Sequence, residues 1–353
     1  MAKPRQNWTA EPWNDSELLE CAMVIPESPD CATIAFRAPS GAWFDYQPGQ
    51  FLTLDLPVPG GPLQRTYTIS SSPSRPLSIS ITVKAQPGSI GTRWVLDHLK
   101  PGMRVKAHGP SGQFTFLRHP ARKYLFISAG SGITPLMSMT TWAWDSGEMP
   151  DIVFVHAARR PSDIIFKRRL EQFASRVPGL QLHFTVEEVE PFSVWPGYRG
   201  RLSQIMLGLM APDYLDREVF CCGPEPFMRA VRDMLGSLGF DMAHYHEESF
   251  AAPTMTEVPV ETVAPAAFSE VSFAVSGKSV ACNGTDTILS VAKQAGLNIP
   301  SSCNFGLCGT CKVRKVSGEV AMVHNGGISE EEVAEGYILA CCARPQGAVV
   351  MDL

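Results

Sequence analysis

"YLFISAGSGITPLMSMTTWAW", residues 124–144, is an uncharged run of a length that would just cross a bilayer as one helix. Gly130, Gly132 and Pro135 interrupt it, and Ser128, Ser131, Thr134, Ser138, Thr140 and Thr141 spread hydroxyls along it. A strand, a tight loop and a helix explain that composition better than a membrane span. Pro135 then falls in the first helical turn, where its missing N–H costs nothing. Gly130 and Gly132 let a phosphate approach the backbone. By itself "AGSGITP" (129–135) lacks the complete G-x-G-x-x-G and is a weak dinucleotide signal.

The run belongs to a larger alternation over 119–250. "YLFISA", "IVFVHA", "LQLHFTV" and "EVFCCG" read as short apolar strands, with helices expected over 135–144, 163–177 and 226–238. That order predicts an α/β domain with a parallel sheet, helices on both faces, and ligands at the carboxyl ends of the strands. "CCGPEPFM" (221–228) ends the fourth of these strands and enters a helix, so two loops meet one sheet edge where a dinucleotide would cross.

Residues 16–118 follow a different rule. "FLTLDL" (51–56) and "LSISITVK" (77–84) alternate apolar with polar residues, and Pro/Gly turns separate the runs, as in an antiparallel β-barrel or sandwich. "RTYTISSSP" (65–73) offers a cation for a phosphate, an aromatic face for a flat ring and a hydroxyl beside it. "QPGSIGTRW" (86–94) puts Gly88, Ser89 and Thr92 at the start of a helix running through His98, an anion site suited to a pyrophosphate.

Residues 251–268, "AAPTMTEVPVETVAPAAF", hold three prolines, no Lys or Arg and no period, and read as a linker. The rest, 269–353, forms a third unit of short strands, a helix near 287–295 and the loop "PSSCNFGLCGTCKV" (300–313). Cys303, Cys308 and Cys311, with a distant fourth cysteine, match the plant-type 2Fe-2S spacing C-x4-C-x2-C…C. A four-cysteine zinc site usually presents two close pairs, and only one such group exists here. Gly306 and Gly309 suit a loop that must turn its N–H groups towards sulfur. Cys341 and Cys342 are adjacent, so counting alone does not choose the fourth ligand.

Composition bounds the rest. The 353 residues are 44% hydrophobic and 18% charged with a formal charge of −5, which describes a globular chain of two or three domains without a phosphate-neutralising stripe. The first twenty residues lack the apolar core of a signal peptide, so a cytoplasmic protein is expected, with no membrane and no nucleic-acid partner. Ten cysteines in a reducing compartment favour metal or redox use over disulfides. Cys21, Cys31, Cys221 and Cys282 read as buried hydrophobes, and His98, His156 and His183 as structural.

Taken in order, "RTYT", "GSGITP" and "CGPEPFM" resemble the R-x-Y-[ST], G-x-G-x-[TS]-P and C-G-P motifs of the ferredoxin-NADP reductase superfamily, here with a plant-type ferredoxin fused after them. The layout, with "YHEESF" and "VHNGGISEEEVAEGYILACC", is similar to the reductase components of Rieske-type oxygenases, glycine betaine monooxygenase among them. The resemblance implies a flavin barrel, an α/β nucleotide domain and an α+β, β-grasp 2Fe-2S domain. It implies that Arg65, Thr66, Tyr67, Thr68, Thr82, Val83, Lys84, Gly88, Ser89 and Thr92 hold a flavin, FAD being preferred with FMN as the alternative. Gly130, Ser131, Gly132, Thr134, Pro135 and Arg159 would bind NADH, with Cys222, Gly223 and Pro224 at its nicotinamide end. Arg159 and Arg160 would instead suit a 2′-phosphate, which leaves NADPH as the rival. Thr68, Cys222, Glu248 and Phe250 would face the reacting rings. In "GYILAC" the resemblance selects Cys341 as the fourth ligand beside Cys303, Cys308 and Cys311. The implied acceptor is a Rieske-type oxygenase acting on glycine betaine or a similar quaternary amine. A hybrid-cluster protein or an aromatic-ring dioxygenase is the rival acceptor, and an iron-sulfur redox sensor on a flavin scaffold is a rival of another class. The acidic run Glu330 to Glu332 with Glu335 reads either as a docking surface or as a solvated helix face.

Overall fold

A computed structural model describes residues 11–59, 61–85, 88–147, 149–192, 194–250, 269–301, 306, 309–324 and 327–353. The expected linker, 251–268, and the cluster ligands Cys303 and Cys308 lie outside the described residues. Two sheets share one compact unit and a third sheet lies in a second.

The first sheet comprises β1 (Leu19–Ser28), β2 (Cys31–Arg37), β3 (Phe51–Val58), β4 (Gly61–Thr68), β5 (Ile79–Lys84) and, after helix α1 (Ile90–His98), β6 (Arg104–Ser111). Its order is β4-β3-β6-β1-β2-β5. An antiparallel bridge from Ile69 to Ile81 joins the two outer strands, so the antiparallel sheet closes into a barrel and leaves those edges no free ladder. The alternating residues of "FLTLDL" deliver Leu52, Leu54 and Leu56 to a core shared with Phe36, Phe44 and Ile81.

The second sheet comprises β7 (Lys123–Ala129), β8 (Asp151–Ala158), β9 (Leu180–Val186), β10 (Tyr198–Arg199), β11 (Glu218–Cys222) and β12 (Tyr245–Glu248). Its order is β10-β9-β8-β7-β11-β12, and its pairings are parallel. Because β8 lies on one side of β7 and β11 on the other, the chain reverses its winding direction at β7. Such a switch point, at the carboxyl ends of the strands, is where sheets of this kind bind ligands. Helices α2 (Ile133–Ser146), α3 (Lys167–Ala174), α4 (Gln204–Met210) and α5 (Glu225–Ser237) cover the sheet. On α5, Met228, Val231 and Leu235 recur at helical spacing and bury against Val219 and Cys221, each contributing about 1.5–3 kcal/mol.

Several sequence expectations shift here. The 124–144 run is strand, turn and helix, and no described helix is long and apolar enough to cross a membrane. The helix expected over 163–177 is shorter, because Pro161 opens a separate 3-10 turn and Phe166 takes a left-handed φ of 58° just before α3. Helix α4 and strand β10 were not anticipated, since Gly197 and Gly200 break the pattern around them, and "EVFCC" is therefore the fifth strand of this sheet in chain order.

The second unit carries β13 (Ser269–Phe273), β14 (Lys278–Cys282), α6 (Ile288–Gln294), β15 (Lys312–Met322), α7 (Glu330–Ala334), β16 (Tyr337–Leu339) and β17 (Ala343–Met351). The order β14-β13-β17-β15-β16 mixes one parallel pairing, β13 with β17, into an antiparallel sheet. Val271, Phe273, Ile288 and Val291 fill the core between sheet and α6, an α+β arrangement. Ser329 and Glu332 form a capping box at α7, and Glu332 also pairs with Lys312 at 2.5 Å, so part of the acidic run serves its own helix.

Candidate functional site

The barrel half of the site is built around α1. Ser89 caps the helix by accepting from the Thr92 backbone N–H, and its hydroxyl lies 2.6 Å from that of Thr92. Gly88 precedes the cap with φ 75°, a conformation that favours glycine. A Cβ on Gly91 would stand 2.8 Å from Cγ of Arg65. The Arg65 stem therefore lies against the first turn of α1, with its guanidinium donating to the Gln64 carbonyl at 2.8 Å, so an arginine, two hydroxyls and a helix N-terminus lie near one another, a combination suited to a pyrophosphate.

Tyr67 and Thr68 follow on β4. The Tyr67 hydroxyl is buried and meets no hydrogen-bond partner of good geometry, with the Thr92 hydroxyl its neighbour. Burial pushes it up to about 12. A buried orphan beside an anion cradle fits a flavin cofactor that supplies the missing partner. Thr68 is buried, and Thr66 shares its hydroxyl with Thr53 at 3.1 Å. Thr82 bonds Thr33 and Ser70, each at 2.8 Å, so its role is to hold strands together. Val83 is buried, and Lys84 pairs with Asp30 at 3.5 Å.

The nucleotide half lies at the β7/β11 switch point. Gly130 has φ 54°, and Thr134 donates to the Ser131 carbonyl at 3.0 Å, tightening the turn. Pro135 is buried in the first turn of α2. A Cβ on Gly132 would sit 2.1 Å from the Cys222 carbonyl oxygen and 2.6 Å from the Gly223 nitrogen. The two glycine loops thus touch backbone to backbone, and only glycine fits between them. Pro224 then caps α5. This bare backbone at a switch point suits a dinucleotide.

Strand β12 brings the third component. Its register sets Glu248 opposite Cys222. Cys222 is fully buried, which raises its thiol well above the ordinary range. Glu248 is 5% exposed with Oε2 unpartnered, and burial pushes its carboxyl up to about 8. Phe250, beyond the strand, is 42% exposed.

Arg159 shares an acidic partner with Arg160. Arg160 and Arg159 both approach Glu188, at 2.9 and 3.5 Å, and the Glu188 N–H donates to the Arg159 carbonyl at 2.8 Å. The Arg160 hydrogen bond holds the Glu188 carboxyl below its usual range. Glu188 was not singled out from the sequence; the signal was an acidic pair, Glu187 and Glu188, at the carboxyl end of the strand beside the arginines.

In the second unit, Cys311 and Cys341 come together: the Cys341 N–H donates to Cys311 Sγ at 3.4 Å. A backbone N–H aimed at a ligand sulfur fits an iron-sulfur centre, whose thiolates carry charge. Gly306 and Gly309 have φ of 75° and 73°. A Cβ on Gly306 would meet Cys342 Sγ and His324 within 3.0 Å, and one on Gly309 would meet the Gly327 carbonyl at 2.8 Å. Cys342 turns its thiol to the Leu339 carbonyl at 3.6 Å. The remaining single cysteines Cys21, Cys31, Cys221 and Cys282 are buried. His98 and His156 bond the Trp94 carbonyl and Ser128, while His183 is half-buried by its sheet.

Comparison with known sequences agrees with this division. An oxidoreductase FAD-binding domain family matches residues 21–116, an oxidoreductase NAD-binding domain family residues 126–233, and a 2Fe-2S iron-sulfur cluster binding domain family residues 273–346. The chain is 61% identical to the stachydrine N-demethylase reductase subunit of Rhizobium meliloti, over 96% of this chain and 97% of that one. It is 48% identical to the glycine betaine monooxygenase reductase subunit of Pseudomonas aeruginosa, over 98% and 97% of the two chains. Among solved structures, phthalate dioxygenase reductase shares the fold with a TM-score of 0.60 at 24% identity, over 97% of this chain and 100% of that one.

Proposed function

The chain belongs to the family of oxidoreductase subunits that join FAD-binding, NAD-binding and 2Fe-2S domains, and on that premise we propose that it passes electrons from NADH to a Rieske-type oxygenase acting on a betaine. When bound, the flavin accepts a two-electron hydride and the cluster carries single electrons. Arg65, Gly88, Ser89 and Thr92 bind the flavin pyrophosphate, while Tyr67 and Thr68 line its ring. Gly130, Ser131, Gly132, Thr134 and Pro135 hold the NADH pyrophosphate, and Cys222, Gly223 and Pro224 seat the nicotinamide. Glu248, protonated at neutral pH, keeps a proton beside Cys222, and Phe250 covers the ring system. Cys303, Cys308, Cys311 and Cys341 hold the cluster. Domain bounds of 16–118, 119–250 and 269–353, with 251–268 as linker, follow from the same reading.

The observation that carries this proposal is the meeting of Gly132, Cys222 and Glu248 at one sheet edge, in the same compact unit as the Arg65 and Ser89 cradle. NADH is preferred because Glu188 faces the arginines that would otherwise receive a 2′-phosphate. Both stachydrine and glycine betaine carry a methylated quaternary nitrogen, and the identity to reductases named for those substrates supports that class. Such a reductase works where NADH is made and thiols stay reduced, in the cytoplasm.

The test is NADH consumption with purified Rieske-type oxygenases, scored by formaldehyde release from stachydrine and from glycine betaine. We expect betaine demethylation to be driven faster than turnover of an aromatic-ring oxygenase or a hybrid-cluster protein. Faster support of either of those overturns the acceptor. Failure of NADH to bleach the flavin at all returns the protein to the class of redox sensors.

A further inference from the structure

At the amino-terminal end of the parallel sheet, away from the nucleotide edge, four side chains from three segments converge. Glu218 opens β11, about 13 Å of strand before Cys222. His246 lies on β12, in register with Phe220. His119 follows the 3-10 turn Phe116–Arg118, and His244 ends the turn Met242–His244. Glu218 Oε1 is 2.6 Å from His246 Nε2 and 3.9 Å from His119 Nδ1, while Oε2 is 2.9 Å from His244 Nδ1. The His119 and His246 rings stack with centroids 3.7 Å apart. The donor atoms of His119, Glu218 and His246 lie within 4.8 Å of one another.

We propose that His119, Glu218 and His246, with His244 at the rim, bind one divalent transition-metal ion of the zinc class. Imidazole nitrogens and one carboxylate form a donor set that such an ion accepts. A tetrahedral ion with bonds of about 2.0–2.1 Å places its ligand atoms about 3.3 Å apart. The 2.6 Å contact must open and the 3.9 Å contact close, each by less than about 1 Å, and the His119 and His246 donor atoms, within 4.8 Å, must close by up to about 1.5 Å, which side-chain rotation supplies. Phe220 packs beneath both rings, at 6.0 Å from His119 and 4.8 Å from His246, an apolar floor that strengthens binding at a polar centre. The side chains of His119 and His244 are 39% and 57% exposed, so an ion has a route in. The ion is structural: it ties the loop after the barrel to β12, two residues before Glu248. Without an ion, the same groups form a network of hydrogen bonds to Glu218, and the experiment separates the two.

The holoprotein, with flavin and cluster loaded, is titrated with Zn2+ by calorimetry, gel-filtered, and its zinc and iron counted per chain. We expect one zinc per wild-type chain with iron unchanged, and a rise in the unfolding midpoint. In His246→Gln, and in His119→Gln whose side chain sits on the surface, affinity falls at least about tenfold and the midpoint no longer responds. His183→Gln, elsewhere in the sheet, takes up zinc like wild type. No uptake by wild type, or uptake undiminished in both ligand variants, overturns the site.

Discussion

Glu248 is a carboxylic acid that the fold keeps protonated. Its folded value, pushed up to about 8 by burial, lies above the ordinary 4.5, so the folded chain holds a proton that the unfolded chain releases between those values. Stability therefore falls as pH rises from about 4.5 to about 8 and levels off above. Glu248→Gln removes this dependence, and its stability gain over wild type should grow across that window in urea unfolding. A constant difference at all pH values would mean Glu248 does not titrate there. Cys341 and Cys342 make a second contrast at this scale. On the proposed assignment of Cys341 as fourth ligand, Cys341→Ser should abolish the cluster's visible absorbance, and Cys342→Ser, whose thiol donates to the Leu339 carbonyl, should leave it. The reverse result exchanges their roles. Glu188, finally, occupies the two arginines that the proposed reading would otherwise offer to a 2′-phosphate. Glu188→Ala should narrow the preference in kcat/KM for NADH over NADPH by a factor of about ten, some 1.4 kcal/mol, and an unchanged ratio would remove Glu188 from coenzyme choice.

At the scale of elements, the turn from β7 into α2 is fixed by backbone contact. Gly132→Ala would put a methyl 2.1 Å from the Cys222 carbonyl, with backbone on both sides unable to yield as a side chain does. We expect NADH-dependent reduction to fall at least about tenfold, since a 1 Å misplacement of a bound reactant is costly, while flavin absorbance persists. Loss of flavin with the activity would mean instead that the unit has unfolded. The sequence made this turn legible because glycine and proline spacing is a local property. It also made the Ser89 cap and the period-two barrel strands legible. It did not expose α4 or β10, which are short and acquire their apolar contacts only from the assembled sheet. Nor did it expose Glu188, His119 or Glu218, whose partners are distant in the chain and meet only once the parallel sheet and its loops have assembled.

Across the molecule, two units divide the labour. The first holds a barrel and a parallel sheet joined by specific contacts: Arg75 forks onto Asp145 at 2.8 and 2.9 Å, and Ser138 donates to the Ser71 carbonyl at 2.5 Å. The proposed flavin cradle and nucleotide edge thereby lie on elements fixed to each other, as hydride transfer demands. The second unit is a separate sheet whose core includes Cys311 and Cys341. The most direct test is anaerobic rapid mixing of the full chain with NADH, following flavin and cluster absorbance together in wild type and Cys341→Ser. The account predicts that wild type bleaches the flavin and then reduces the cluster, whereas Cys341→Ser bleaches the flavin at the wild-type rate and passes no electrons to cytochrome c. Cytochrome c reduction undiminished in Cys341→Ser, or a cluster that stays oxidised while the wild-type flavin is reduced, would contradict it.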